Sequence, residues 1–260
     1  MELELSGKRA LITGASRGIG LAIAQVLAKE GCSLVLTARD PDRLAESAEM
    51  LRTDHGVEVE QVAADLTMPG EIDRMAGLAG PLDILINNAG AIPNGTLQEL
   101  DAAKWRSSWE LKVFGYIDLT RAIYPGMVER GRGVVLNIIG MAGERPSAWY
   151  IAGSTGNASL YTFTRALGAD SFDHGVRVLG LSPGYIETDR QRVKMMNRAE
   201  AELGDRERWR EFAKNLPQSR LAQPREVADV AAFLVSDRAS FISGTVVTVD
   251  GGMASRPALI

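Results

Sequence analysis

Residues 9–29 read RALITGASRGIGLAIAQVLAK, and this stretch decides the fold. Arg9–Thr13 is a short apolar run of strand type. Gly14-Ala15-Ser16-Arg17-Gly18-Ile19-Gly20 is a glycine-spaced turn, and from Leu21 onward apolar residues recur at helical spacing. Glycines let a backbone come close to a pyrophosphate, and a helix start offers amide N–H groups and the positive end of its dipole. The stretch therefore nominates Gly14, Ser16, Arg17, Gly18, Ile19 and Gly20 as contacts of a dinucleotide. The alternative is a glycine-rich turn without a ligand, and the strand-loop-helix context speaks against it.

Outward from this unit the alternation continues. Further strand-type runs occur at Ser33–Thr37, Glu58–Ala63, Ile84–Asn87, Gly133–Ile138, Arg177–Leu181 and Thr245–Val249, with helical periodicity between them. Several are continuously apolar, as expected where helices cover both faces of a parallel sheet. No repeat or linker interrupts the chain. The expectation is an α/β fold: a single Rossmann-type doubly wound parallel sheet with helices on both faces, one domain over residues 1–260.

Composition narrows the function. The 260 residues carry 29 Lys+Arg against 33 Asp+Glu, a formal charge of −4, so no basic surface points to nucleic acid. One cysteine, Cys32, and two histidines, His55 and His174, support neither a disulfide framework nor a zinc cluster, and no metal is expected. No leader-like start and no membrane-length apolar run is visible, so the expectation is a cytoplasmic protein with no membrane partner.

One segment breaks the rhythm. Between Tyr185 and Pro224 there is no strand, and Arg190 to Lys214 holds eight basic and five acidic residues. Two readings stand: a solvated helix pair, or a lid over a pocket that favours an anionic small-molecule substrate. The second strand ends at Ala38 followed by Arg39, with no carboxylate to repel a 2′-phosphate. Arg17 and Arg39 both suit such a phosphate, which favours NADP(H) over NAD(H), the alternative for Arg39 being a plain surface residue.

The chain resembles the short-chain dehydrogenase/reductase family over nearly its whole length. The resemblance is carried by Thr13–Gly20, Asp65 after the third strand, Asn87-Asn88-Ala89-Gly90 after the fourth, Pro183-Gly184 and Thr188, and Val249-Asp250-Gly251-Gly252. It implies that Asp65 meets the adenine, that Asn88, Ala89 and Gly90 line the adenosine ribose, that Thr188 reaches the carboxamide, and that Leu66, Pro183 and Gly184 also bind the cofactor. It also implies a homotetramer, with residues 246–260 in the subunit-contact region.

The family's catalytic positions read differently here. Lys112 stands where an Asn is usual, Gly140 where a Ser is usual, and Gly153 and Asn157 where Tyr-x-x-x-Lys is usual. Lys and Asn have thus exchanged places, and Tyr150 lies three residues before Gly153. If the helix starts early, its phenol is one turn back from the usual place. Lys112, Tyr150 and Asn157 are accordingly the candidate catalytic residues, set against a surface lysine and a loop aromatic. Trp149 and Trp109 are expected as packing or pocket walls. The leading expectation is an NADP(H)-dependent oxidoreductase of a small carbonyl or alcohol with a rearranged active site. The alternative is a catalytically inactive NADP(H)-binding sensor or structural subunit. Dehalogenating relatives lose the glycine loop and keep Ser and Tyr, the reverse of this chain.

Overall fold

A computed structural model describes residues 2–256, so positions 257–260 of the expected subunit-contact tail lie outside the described residues. Seven parallel strands form one sheet: β1 (Arg9–Thr13), β2 (Ser33–Ala38), β3 (Val59–Ala63), β4 (Ile84–Asn87), β5 (Gly133–Ile138), β6 (Val176–Pro183) and β7 (Val246–Val249). Their spatial order is β3-β2-β1-β4-β5-β6-β7. The order reverses between β1 and β4, which opens a crevice beyond their C-terminal ends. The sheet is the expected one. Its strand ends shift by a residue or two because pairing sets them: Ala38 is drawn into β2 by Ala63, while Gly133 and Val249 extend β6 at its two ends.

Helices α1 (Gly18–Lys29), α2 (Pro41–His55), α3 (Glu71–Ala79), α4 (Ala102–Trp109), α5 (Gly115–Glu129), α6 (Ile151–Asp170), α7 (Asp189–Leu203) and α8 (Pro224–Val235) connect the strands. Successive side chains of a strand enter opposite faces, so apolar runs feed two cores at once. Ile12, Leu36, Ile86 and Leu136 pack with Ile23 and Leu27 of α1 and Val227 and Ala231 of α8. Leu11, Val35, Leu85 and Val135 pack with Met75 of α3 and Leu119, Ile123 and Met127 of α5. Cys32 is buried at the head of β2 with its Sγ 3.3 Å from the Leu5 carbonyl, and burial pushes the thiol up to about 12. It is a core residue.

A buried polar chain crosses the middle of the sheet. Asn87 Nδ2 donates to Asn137 Oδ1 at 2.9 Å and to Thr120 Oγ1 at 3.1 Å, and Asn137 Nδ2 donates to Thr164 Oγ1 at 3.0 Å. It fixes β4 and β5 against α5 and α6. Among the described residues no helix is long and apolar enough to cross a membrane.

Candidate active site

At the crevice, Thr13 is the hub. Its buried Oγ1 accepts from the backbone N–H groups of Asn88 and Ala89, each at 2.9 Å, and so joins the end of β1 to the loop after β4. Asn88 Nδ2 donates back to the Thr13 and Gly14 carbonyls at 2.8 and 3.3 Å. Gly20 has its own reason to be glycine: a Cβ there would lie 2.4 Å from the Gly14 carbonyl oxygen and 2.5 Å from Asn88 Nδ2. The motif thus closes the loop on itself as well as exposing backbone. Thr13→Val leaves two amides without an acceptor. It is expected to cost about 1–3 kcal/mol, read as a lower denaturation midpoint at unchanged m-value.

Around this hub the nominated residues are spread along the strand ends. Arg17 is the extended residue before α1 and gives the helix no side-chain cap, leaving the amides of the first turn free of one. Arg17 and Arg39 are exposed, and among the described residues neither has an ion-pair partner. Ser16 and Ile19 are half-buried in the loop. Asp65 accepts from Thr67 N–H and Oγ1 beside buried Leu66. Pro183 ends β6, and Gly184 N–H donates to the Val249 carbonyl at 3.0 Å. Thr188 caps α7, accepting from Gln191 N–H at 3.2 Å, while its methyl group approaches Gly18. Free helix-start amides and two unpaired guanidinium groups are a donor set that fits a phosphorylated dinucleotide.

The second half of the site gathers where β5 ends. Lys112 lies in a π-helical turn, Glu110–Phe114, between α4 and α5. Such turns redirect a side chain out of helical register and are frequent at functional sites. Its side chain passes over Gly90, where a Cβ would lie 2.5 Å from Lys112 Cδ, and its Nζ donates to the Ile138 carbonyl at 2.6 Å and to Tyr116 Oη at 3.0 Å. Tyr116 Oη donates to the same Ile138 carbonyl at 3.0 Å. Burial, with Arg190 adding to it, draws the Lys112 ammonium down to about 7. The motifs did not flag Tyr116; its position one helical turn after Lys112 was the available signal.

Two residues beyond Ile138, the Gly140 carbonyl accepts from Asn157 Nδ2 at 3.3 Å, and buried Asn157 Oδ1 has no donor among the described residues. Lys112 and Asn157 therefore meet the same strand end, with no hydrogen bond between them among the described residues. The orphaned oxygen suits a ribose hydroxyl.

Tyr150 departs from expectation in an informative way. The helix does not start early: α6 begins at Ile151 with Tyr150 as its N-cap, whose carbonyl takes the Ser154 N–H at 2.7 Å. From there the ring folds over Gly153. A Cβ built on Gly153 would lie 2.0 Å from both Cε1 and Cζ of Tyr150. The aromatic ring fills the space that a side chain at 153 would enter. Burial raises the Tyr150 hydroxyl above its usual range and Arg190 pulls the other way. Trp109 Nε1 donates to the Ala152 carbonyl at 3.0 Å and steadies the first turn of α6. Trp149 is 68% exposed and is no wall of the site.

The charged segment folds over the other side as α7 and a 3₁₀ stretch, Arg206–Asn215, held by Met195, Trp209, Leu216 and Leu221. Arg190 donates to the Gly90 and Ile92 carbonyls at 2.9 and 3.0 Å, and Lys194 Nζ to Asn94 Oδ1 at 3.2 Å. These bonds tie α7 to the loop after β4.

A family model described as enoyl-(acyl carrier protein) reductase matches residues 14–254. The chain is 33% identical to a 3-oxoacyl-[acyl-carrier-protein] reductase of Vibrio cholerae, over 96% of this chain and 99% of that protein. It is 34% identical to gluconate 5-dehydrogenase of Gluconobacter oxydans, over 96% and 95%. Among solved structures it is similar to L-sorbose reductase from Gluconobacter frateurii in complex with NADPH and L-sorbose, with a TM-score of 0.93 and 36% identity, covering 99% of this chain and 100% of that one.

Proposed function

Because this chain belongs to the short-chain dehydrogenase/reductase family, we propose that it is an NADP(H)-dependent oxidoreductase of a small carbonyl compound or the matching alcohol, with proton transfer rebuilt from unusual positions. One observation carries this reading: the Tyr150 ring occupies the space at Gly153, the position from which relatives supply a phenol. The hydroxyl is delivered from the N-cap, three residues earlier.

The bound cofactor supplies or accepts the hydride. The chain does the rest. Tyr150 gives a proton to the substrate oxygen on reduction and takes one back on oxidation, a contribution typically worth ~10²–10⁴-fold. Lys112 holds positive charge on the Tyr116 hydroxyl, which lies within electrostatic reach of Tyr150. Asn157 Oδ1 receives a ribose hydroxyl, taking over from the usual lysine. Gly14, Ser16, Gly18, Ile19, Gly20 and the start of α1 cradle the pyrophosphate. Asp65 and Leu66 serve the adenine, Asn88 to Gly90 the adenosine ribose, and Pro183, Gly184 and Thr188 the carboxamide side. Residues 185–224 act as the lid. A homotetramer completes the reading, and Phe114 and Met68 on the rim of a cleft of about 580 Å³, together with Phe241, leave exposed apolar surface for subunit contacts.

The test is oxidation of NADPH with L-sorbose and with 5-keto-D-gluconate, comparing wild type with Tyr150→Phe. A loss of at least about 10²-fold in the variant is expected, given the size of general acid–base contributions. Turnover that ignores the change refutes the role of Tyr150, and tight NADPH binding without any turnover points to a binding protein instead. For cofactor choice, Arg39→Asp removes a partner of the 2′-phosphate and adds a repelling charge. The NADPH/NADH ratio of kcat/KM is expected to fall by about 10²-fold, the scale of a charge-assisted hydrogen bond.

A further inference from the structure

The excess positive charge of the 190–214 segment is not evenly spread. Arg192 pairs with Glu187 at 3.2 Å, Arg198 with Glu202 at 2.7 Å and Arg208 with Glu211 at 2.7 Å, while Arg210 lies over the Trp209 ring at 4.5 Å. Arg190 and Lys194, one turn apart on α7, have no acidic partner among the described residues. Their acceptors are two backbone carbonyls and one amide oxygen, all neutral. Lys194 is half-buried with its Nζ 5.5 Å from the centre of the Tyr150 ring. The stem of Lys112 packs against Gly90, the residue whose carbonyl Arg190 holds. Two cations, Lys194 and Arg190, therefore stand beside Tyr150 and the loop after β4, with no acidic partner among the described residues.

Removing a cation from water without a counter-ion is costly, and proteins keep such arrangements where a ligand supplies the missing charge. Resting on the reading of this site as a carbonyl-reducing centre, we propose that Lys194, backed by Arg190, binds a carboxylate of the substrate, so that the substrate is a small keto acid or the matching hydroxy acid. An ammonium has three donors, and Lys194 spends one of them on Asn94, leaving two for an incoming anion. Arg190 keeps its fork on the two carbonyls and contributes field. Burial and Arg190 hold the Lys194 ammonium down to about 8, a penalty that an arriving carboxylate relieves.

The two ketones named above decide it, because 5-keto-D-gluconate carries a carboxylate where L-sorbose carries a hydroxymethyl group. Wild type is expected to favour the keto acid in kcat/KM by about ten- to a hundredfold, the scale of a charge-assisted hydrogen bond. Lys194→Gln should bring that ratio close to one through KM, and Lys194→Arg should restore most of it. Equal use of both ketones by wild type, or a ratio untouched in Lys194→Gln, overturns the proposal. If neither ketone is reduced, the redox reading has failed and binding still judges this one. D-gluconate and D-glucitol titrated into the NADP⁺ complex should then differ in affinity in wild type and not in Lys194→Gln; equal binding of the two by wild type overturns it.

Discussion

Replacing Gly153 by alanine is expected to lower kcat/KM by about 10²-fold or more, as much as losing the phenol altogether, although every polar atom of the site is retained. The new Cβ would fall 2.0 Å from Cε1 and Cζ of Tyr150, where ordinary contact begins near 3.4 Å. The ring must leave. Alanine is a better helix former than glycine by about 1 kcal/mol, so the variant should fold at least as well as wild type once the ring has swung out. Steady-state kinetics beside Tyr150→Phe gives the comparison, with NADPH titration as the control for an intact cofactor site. Wild-type rates in Gly153→Ala would mean that the ring's position is incidental to the chemistry.

Lys112→Met should separate activity from stability. Methionine keeps the apolar stem against Gly90, and Tyr116 still donates to the Ile138 carbonyl, so no acceptor is orphaned. What disappears is a buried charge whose hydrogen-bond partners are neutral. Replacing buried charge with a well-packed apolar side chain often stabilises by about 1–4 kcal/mol. For a chain of this size each kcal/mol moves Tm by roughly 2–4 °C. The sign follows from the depressed Lys112 value: between about 7 and the ordinary 10.5 the unfolded chain holds a proton that the folded one releases. Wild-type stability therefore gains from this group as pH rises through that window. Below pH 7 the penalty is fully felt, so the advantage of the methionine variant should be greatest there and fade as pH climbs. Activity should fall by about 10²-fold if Lys112 supports proton transfer. A Tm that drops at pH 6 would show that the lysine stabilises the fold.

The sheet was legible because its strands are apolar on both faces and its glycines fall between a strand and a helix. The position of Lys112 was legible only as a departure from a pattern. Its orientation depended on the π-turn at Glu110–Phe114, and one extra residue in a helical turn leaves no mark on periodicity. The sequence points to Tyr150 through its distance along the chain from Gly153, which an early helix start would make one turn. The ring arrives instead from the N-cap, through a backbone at φ −138°, ψ 41°. The charge count over 190–214 was a sum, whereas the pairing that leaves Arg190 and Lys194 without acids is a matter of which helix face each residue occupies. Thr13 lay inside a recognised motif, yet its bonds to Asn88 and Ala89 join segments some seventy-five residues apart, beyond the reach of local patterns.

The crossing of Tyr150 over Gly153 also constrains descent. Two aromatic rings cannot share that volume, so a tyrosine gained at 153 must displace the one at 150. Gly140 adds a second barrier, since its φ of 126° suits glycine and strains a serine. A serine at 140 is thus opposed by the backbone and a tyrosine at 153 by the Tyr150 ring. On the proposed reading, a position-by-position comparison with relatives overlooks the phenol, because it reaches the space at Gly153 from another place in the chain.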